Sequence, residues 1–534
     1  MPLLNIVKLF QEQASQSPER IALDTGKVRC SYDELEKRSA RVASMFSFYG
    51  LKAGDKVLVF QPMSIELYEV LLGIFRCGLV AVFADPQSGR KHLRDCCIRS
   101  EAKAFVGMPK AHWLRLTSWA LWKIPVRFST GRAVPGAKSW QRLDQFRAQG
   151  KLFEPDEDAP ALITFTSGST GRPKAAVRTH NFLIAQNIAL QASIHLESDQ
   201  LDLTTLPIFV LANLAAGVTS IVPDADIPRP GFINAKPVIE QIINRGIERS
   251  AGSPAFYQQL VNYAEQHKIS LGTIKQVYLG GAPVFPSLLQ RLKIIMPSAN
   301  VVAVYGSTEA EPIAHVQLKD ISSTDLGDMN SGRGLLTGIA DDSIQLAIVD
   351  FNSFTNPNKQ LLTKVQNFTS DEFKKLQVPL LEVGEIVVSG NHVLQGYLNG
   401  EGDAATKFEV DGQRWHRTGD SGYQDSKKRL WLMGRCDARI EDSKGVLYPF
   451  TVECAAMQCD GVERAALVSF EGRRLLLLQM QAVEHTEMSA LHHLFEWAEL
   501  DEVQIVKKIP VDQRHNAKVN YPELLDLLRN KRLN

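Results

Sequence analysis

The residues best suited to chemistry lie in a short loop rich in serine, threonine and glycine, within residues 161–177. An apolar run at 161–165 leads into the loop. Glycine lets backbone N–H groups approach an anion closely, hydroxyl groups add hydrogen-bond donors, and a lysine adds positive charge. The pattern therefore predicts a cradle for polyphosphate. Its residues are Thr166, Ser167, Gly168, Ser169, Thr170, Gly171 and Lys174.

This loop differs from two well-known phosphate-binding fingerprints. A Walker A loop has serine or threonine after its lysine, whereas Lys174 follows Pro173 and precedes Ala175. The Rossmann fingerprint G-x-G-x-x-G is absent. A P-loop phosphotransferase is therefore disfavoured. The remaining alternative is an ordinary hairpin loop with a solvated lysine.

A second candidate group follows the strand-like residues 300–304. A turn at Gly306 would place Thr308 and Glu309 at the carboxyl end of that strand, where α/β sheets bind ligands. A threonine hydroxyl can bond a phosphate oxygen, and a carboxylate can face phosphate through Mg²⁺. The alternative is a capped helix start at Ser307.

Three further segments could hold a nucleoside. Asp420, in a Gly-flanked turn, could accept hydrogen bonds from two ribose hydroxyls, and Arg435 could add a donor. The alternatives are a carboxylate that closes the turn and an arginine in a surface ion pair. Gly281, Ala282 and Pro283 follow a strand-like run, and their small size permits flat contact with a ring. A tight strand-to-helix turn is compatible with the same residues.

The chain resembles the adenylate-forming superfamily, which includes acyl-CoA synthetases, fatty-acyl-AMP ligases, luciferases and the adenylation domains of peptide synthetases. The loop and the motifs above recur in the family order between Tyr32 and Lys518. The resemblance implies that ATP and Mg²⁺ activate a carboxylic acid as an acyl-adenylate, with release of pyrophosphate and later acyl transfer. It also implies a large α/β domain at 1–434, with parallel-rich sheets and a β-barrel-like part, and a small mobile α+β domain at 435–534.

The resemblance implies a role for each motif residue. Lys174 and the loop hydroxyls would hold the β- and γ-phosphates, Thr308 the α-phosphate and Glu309 the magnesium ion. Lys518 would stabilise the charge that develops when a carboxylate attacks the α-phosphate. The catalytic residues would be Lys518, Thr308, Glu309 and Lys174. The adenosine contacts would be Gly281, Ala282, Pro283, Tyr305, Gly306, Asp420 and Arg435, and the hinge Asp437.

The same resemblance places the acyl group against residues 206–213, where we expect Phe209, Val210 and Asn213 to line the pocket. The apolar character of this segment favours a fatty or otherwise apolar acid. Several residues depart from the usual family pattern and weaken the case for a coenzyme A thioester, although coenzyme A and a carrier protein remain candidate acceptors. These residues are Ala175, Val210, Glu441 and Ala517.

Within the superfamily, this chain resembles one subgroup more than the others, namely the β-lactone synthetases of long-chain olefin biosynthesis. The similarity is carried by residues 206–213, 305–312, 415–423 and 514–518. Those enzymes adenylate a β-hydroxy acid, whose own hydroxyl then attacks the activated carbonyl, so no thiol acceptor is required. The alternative from another class is an inactive nucleotide-binding scaffold. It predicts that the motif is broken at Glu309 or Lys518, but both residues are intact.

Alternating strand-like and helix-like runs must position these residues, and they predict an α/β architecture with largely parallel sheets. Apolar residues at helical spacing near the start predict an amphipathic first helix. We expect the polar residues 353–378 to be an inserted loop or edge segment, and a domain boundary near Gly434. The strand-like runs are 55–61, 79–83, 161–165, 276–279, 300–304 and 429–433, and a helical pattern covers 65–76.

The composition excludes several classes of protein. The chain has 534 residues, 44% apolar and 22% charged, as in an ordinary globular protein. Its 60 basic and 59 acidic side chains give a net charge of +1, which is too small overall to gather nucleic acid or an anionic membrane. We expect no transmembrane segment, since Arg76 interrupts the best apolar run. Seven scattered cysteines predict free thiols and a cytoplasmic location.

Overall fold

The computed structural model shows two large sheets with flanking helices and a smaller C-terminal unit. It describes residues 4–85, 89–148, 150–166, 173–354, 364–480, 494–511 and 519–530. Within these residues, no helix is long and apolar enough to cross a membrane. The α/β architecture with parallel-rich sheets that the sequence predicts is confirmed.

The first sheet carries the phosphate-loop segment at one edge. Its neighbouring strands are parallel except for the last pair, in which Pro160–Thr166 and Lys174–Thr179 run antiparallel with Thr166 opposite Lys174. The predicted phosphate loop therefore joins two paired strands. In spatial order the strands are Lys138–Ser139, Val126–Ser129, Ala104–Gly107, Lys56–Phe60, Val80–Phe83, Pro160–Thr166 and Lys174–Thr179.

The second sheet begins as a parallel sheet whose short strands are largely buried, as expected where helices cover both faces. Its parallel strands are, in order, Asn300–Ser307, Gln276–Leu279, Arg249–Gly252, Leu201–Thr204, Thr219–Ile221 and Ile21–Asp24, with Arg29–Ser31 antiparallel at the edge. The helices that follow these strands include Pro207–Ala216, Ala235–Arg245, Pro254–Gln266 and Pro286–Ile295.

The second sheet continues as antiparallel strands that carry further site residues. Asp420 lies directly opposite Arg435 in the pairing of two of these strands. In order they are Ala310–Gln317, Leu335–Ala340, Leu430–Arg435, Gln413–Gln424, Gly384–Ser389 and Gln345–Val349. Lys407–Val410 pairs with Gln413–Gln424, and Gln366–Phe368 pairs with Lys407–Val410.

Helices of the N-terminal part fill the core beside the first sheet. Ile65–Arg76 is buried almost throughout and packs against Tyr32–Phe48, which Ser31 caps through its hydroxyl. The predicted first helix spans Val7–Gln16 and buries Val7 and Phe10. The other helices are Arg90–Ser100, Leu114–Thr117, Trp119–Trp122, His180–Ile194, Ser323–Asn330, Ser370–Leu376 and Asp403–Thr406.

The C-terminal residues form a smaller α+β unit with apolar clusters of its own. It contacts the larger part through Ser287, whose hydroxyl donates to the carbonyl oxygen of Met457 at 3.3 Å. Its strands are Ile440–Asp442, Gly445–Leu447, Val462–Phe470, Arg473–Met480 and Glu502–Val506, and its helices are Pro449–Ala456 and Tyr521–Arg529.

Within the polar segment at 353–378, the described residues 364–378 are more regular than a loop. Gln366–Phe368 is an edge strand, as expected, but Ser370–Leu376 forms a helix that the sequence analysis missed. The Thr369 hydroxyl accepts from the Glu372 N–H, and the Glu372 carboxylate accepts from the Thr369 N–H. This capping box and the buried side chain of Phe373 stabilise the helix despite its polar composition.

We predict that Gly434→Ala destabilises the protein by about 3 kcal/mol, since backbone strain adds to overpacking. Gly434 has φ +114°, and an added Cβ would lie 2.6 Å from the Phe450 Cβ. Gly445 is a matched control, with φ +100° and no atom within 4 Å of an added Cβ. Gly445→Ala should cost only about 1 kcal/mol. Urea unfolding measures both, and equal losses would contradict the packing of Phe450 against Gly434.

Candidate active site

The carboxyl ends of the parallel strands in the second sheet open into a cleft of about 3900 Å³. The hairpin of the first sheet contributes Thr164, Lys174 and Arg178 to the same cleft. The C-terminal unit contributes Glu453 and Tyr521, among others. Residues from both sheets therefore meet where α/β folds commonly bind ligands.

Three predicted nucleoside contacts meet at one side of this cleft. The Tyr305 hydroxyl donates to Asp420 Oδ2 at 2.7 Å, and Arg435 Nη1 donates to Asp420 Oδ1 at 2.9 Å. Burial and the Asp420 carboxylate raise the pKa of Tyr305 well above its ordinary value. The phenol therefore stays protonated at neutral pH and can act as a donor.

A glycine permits the close approach of arginine and carboxylate. Gly419 has φ +70°, and an added Cβ would lie 2.7 Å from Arg435 Nη2. A larger residue would displace the guanidinium from Asp420. The structure brings all of the predicted adenosine residues to one cleft, namely Gly281, Ala282, Pro283, Tyr305, Gly306, Asp420 and Arg435.

Glu309, the predicted metal ligand, is held by a tyrosine that the sequence analysis did not select. The Tyr397 hydroxyl donates to Glu309 Oε1 at 2.8 Å, and the Leu394 N–H donates to the Glu309 carbonyl oxygen at 2.7 Å. Lys174 Nζ lies 5.5 Å from the centroid of the Tyr397 ring, and Thr308 lines the same cleft. The predicted Lys174, Thr308 and Glu309 are thus neighbours around Tyr397.

Arg178 connects the two walls of the cleft and was also missed from the sequence. Its Nη1 donates to Thr164 Oγ1 at 2.9 Å, and its Nη2 donates to the Thr308 carbonyl oxygen at 2.7 Å. Burial lowers the pKa of Arg178, and the carboxylates of Glu311 and Glu309 oppose that effect. The available sequence signal was a basic residue inside an otherwise apolar strand, four positions after Lys174.

A second missed basic residue, Lys407, is buried beside the same tyrosine. Its Nζ donates to the Leu394 carbonyl oxygen and lies 5.6 Å from the Tyr397 ring centroid. Burial lowers the pKa of Lys407 to about 7, while the carboxylates of Glu309 and Asp403 oppose the decrease. Lys407 therefore lies behind Tyr397 and Glu309, whereas Lys174 and Arg178 are the basic groups that line the cleft itself.

The residues expected to line the acyl pocket lie in the core instead. Phe209 and Val210 belong to buried apolar clusters, and the Asn213 amide donates to Asp202 Oδ2 at 2.8 Å. The predicted segment does reach the cleft, but its helix turns other residues towards it. Those cleft-lining residues are Leu206, Pro207, Ile208 and Leu211.

Other predicted site residues fall partly or wholly outside the described residues. Asp437, the expected hinge, lines the cleft in a short turn that follows Arg435. The side chain of Thr166 is not described, although its backbone ends a strand. Ser167, Gly168, Ser169, Thr170, Gly171 and Lys518 lie outside the described residues.

The shared cleft has a carboxylate–arginine–tyrosine group at Asp420 and basic side chains beside Glu309, an arrangement suited to an enzyme that binds a nucleotide. The chain belongs to the family of AMP-binding enzymes, whose family model matches residues 10–398.

Curated relatives and solved structures agree with this assignment. The chain is 30% identical to the olefin beta-lactone synthetase of Stenotrophomonas maltophilia (strain K279a), over 97% of each chain. It is 28% identical to the enzyme of the same name from Xanthomonas campestris pv. campestris, over 98% of this chain and 97% of the relative. ATP-bound MatB from Rhodopseudomonas palustris shares the fold, with a TM-score of 0.79 at 18% identity over the full length of both chains.

The protein is therefore an AMP-forming ligase that converts a carboxylic acid into an acyl-adenylate with ATP. The cleft has room for a nucleotide together with an organic acid.

We predict that Tyr397→Phe lowers ATP–pyrophosphate exchange about tenfold, because Glu309 loses a charge-assisted hydrogen bond while the ring beside Lys174 remains. Tyr423→Phe is the control, since the Tyr423 hydroxyl donates to the Arg333 carbonyl oxygen at 3.0 Å and does not line the cleft. Exchange rates at saturating acid compare the two variants. An unchanged rate for Tyr397→Phe, or an equal loss in the control, would contradict the role of this bond.

Proposed function

We propose that the protein activates a β-hydroxy acid as its acyl-adenylate and closes the adenylate to a β-lactone. The observation that supports this proposal is the 30% identity to an olefin beta-lactone synthetase over 97% of both chains. The departures at Glu441, in the hinge motif, and at Ala517, just before Lys518, add support, because they weaken the case for a thiol acceptor.

In the first step, a carboxylate oxygen of the acid attacks the α-phosphorus of ATP. The new O–P bond replaces the bond to the β-phosphate, and pyrophosphate leaves. Asp420, Arg435 and Tyr305 would hold the ribose and adenine, while Lys174 and Thr308 would contact the phosphates. Lys518 would close over the reacting groups and stabilise the charge of the transition state.

Glu309 is suited to hold Mg²⁺ during this step. Mg²⁺ prefers hard oxygen ligands and commonly combines one or two carboxylates with substrate phosphates. The described residues contain no cluster of three or more histidine, cysteine or acidic side chains that could hold a metal by themselves. The ion would therefore be shared between Glu309 and the nucleotide, where it would neutralise phosphate charge.

In the second step, the β-hydroxyl oxygen attacks the activated carbonyl carbon. A C–O bond closes the four-membered ring, the carbonyl–phosphate bond breaks, AMP leaves and the hydroxyl proton is released to water. The nucleophile belongs to the substrate, so its high effective concentration replaces a separate acceptor. The acyl chain would lie against Leu206, Ile208 and Leu211, which favours an apolar acid.

We place this reaction in the cytoplasm. All seven cysteines lie in described residues and are free thiols. Unpaired cysteines in this number are typical of a reducing compartment.

The product formed from a β-hydroxy fatty acid, ATP and Mg²⁺ tests the proposal. Without any thiol, we expect AMP, pyrophosphate and a product that has lost one water relative to the acid, identified by mass spectrometry. The same acid without its β-hydroxyl is the matched control. It should support pyrophosphate exchange but give no such product, because the internal nucleophile is missing.

Other outcomes would contradict the proposal. An acyl-adenylate that accumulates from the hydroxy acid, or a thioester formed only with coenzyme A or a carrier protein, would assign the chain to the general acyl ligases. ATP binding without exchange for any acid would favour the inactive scaffold instead.

A further inference from the structure

Two short helices next to the first sheet expose an unusual group of large apolar side chains. They follow the turn Pro109–Trp113 and span Leu114–Thr117 and Trp119–Trp122. We call the group Trp113, Leu116, Trp119 and Trp122 the Trp surface; these side chains are 71%, 68%, 54% and 54% exposed. Neighbouring exposed apolar side chains of this size commonly mark an interaction site.

The Trp surface lies in a strongly basic part of the chain. Residues 102–143 contain eight lysine and arginine residues and no aspartate or glutamate, although the whole chain has a net charge of only +1. This segment is therefore positively charged although the chain as a whole is nearly neutral. A local field of this kind can attract an anionic surface even when the net charge of the protein cannot.

The basic groups are interleaved with the tryptophan rings. Lys123 Nζ lies 4.7 Å from the Trp119 ring centroid, and the guanidinium carbons of Arg115 and Arg127 lie 5.2 and 5.6 Å from the Trp122 ring centroid. Burial and the nearby positive charge of Arg127 lower the pKa of Arg115. Arg115 is itself buried beneath the Trp122 ring, so the exposed Lys123 and the half-buried Arg127 supply the accessible positive charge beside the tryptophan rings.

We propose that the Trp surface docks the protein onto an anionic lipid bilayer. Tryptophan rings partition to the headgroup level of a membrane, and adjacent lysine and arginine side chains meet the negative lipid phosphates. The charge of the segment complements such a bilayer. A second copy of this chain is a poor occupant, because a symmetric contact would bring two positive surfaces together.

The docking surface adjoins the cleft. Met108 and Lys110 line the cleft, and Lys110 belongs to the same turn as Trp113. A docked protein would therefore open one end of its cleft near the bilayer, where an apolar acid or product would partition. This last connection rests on the proposed function, whereas the docking does not.

Flotation of the full-length protein with vesicles tests the docking. One set contains phosphatidylcholine alone, and the other contains equimolar phosphatidylcholine and phosphatidylglycerol. We expect the wild type to bind the anionic vesicles, with tryptophan emission shifted to shorter wavelength and with binding weakened by salt. The double variant Trp113→Ser/Leu116→Ser should lower the affinity about tenfold or more, since two exposed apolar anchors are removed.

Two matched controls separate docking from general surface effects. Ile294→Ser changes a side chain that is 72% exposed on Pro286–Ile295 and should bind as the wild type does. Lys123→Glu should lower binding to anionic vesicles about tenfold, whereas Lys8→Glu on Val7–Gln16 should not. Pyrophosphate exchange with a short, water-soluble acid should be unchanged in all four variants, which checks their folding.

Several results would overturn the proposal. They are absence of wild-type binding to the anionic vesicles, unchanged binding by the double variant, and an equal loss in the Ile294→Ser control. The proposal would also be overturned if the wild type formed an oligomer that does not bind vesicles and the double variant Trp113→Ser/Leu116→Ser were monomeric. That result would assign the Trp surface to a protein–protein contact.

Discussion

The buried guanidinium of Arg178 ties the two large sheets together at the active site. It bonds the Thr164 hydroxyl on a strand of the first sheet and the Thr308 carbonyl of the second sheet. The phosphate-loop hairpin and the Thr308–Glu309 turn come from segments more than a hundred residues apart. In the proposed reaction both face one nucleotide, so their relative position is the central requirement of the structure. A buried guanidinium that donates to both segments at once is well suited to fix it.

The remaining polar groups are arranged on this frame by strand pairing. Asp420 meets Arg435 because the two residues are opposite in one antiparallel register. Glu309 meets Tyr397, whose ring is approached by Lys174 and by the buried Lys407. The cleft is thus lined by the Asp420–Arg435–Tyr305 group and by the basic side chains of Lys174 and Arg178. Apolar residues of the helix Pro207–Ala216 line the same cleft.

The sequence predicted the parts that depend on local patterns. Strand and helix runs such as Ile65–Arg76 and Gln276–Leu279 were correct in type and bounds, and the residues predicted to contact a nucleoside do line one cleft. The partners of those residues were not predictable, because Arg178 and Lys407 act through contacts between distant segments. The sequence also did not show which side of the helix at 207–216 faces the core and which faces the cleft. Nearly every residue of that helix is apolar, so periodicity does not distinguish a core face from a cleft face.

Conservative replacement of Arg178 tests most directly whether one arginine aligns the two phosphate-binding walls. Arg178→Lys keeps the charge but replaces the two separate donor nitrogens of the planar guanidinium with one, so it cannot hold Thr164 and Thr308 in the same geometry. We therefore predict that ATP–pyrophosphate exchange per folded enzyme falls about a hundredfold. Arg249→Lys is the control, because Arg249 is also a buried arginine, bonded to the Ile194 and His195 carbonyls, but does not line the cleft. Its exchange rate should stay within about twofold of the wild type, even if its melting temperature falls further. Wild-type exchange in Arg178→Lys, or an equal loss in both variants, would contradict the account.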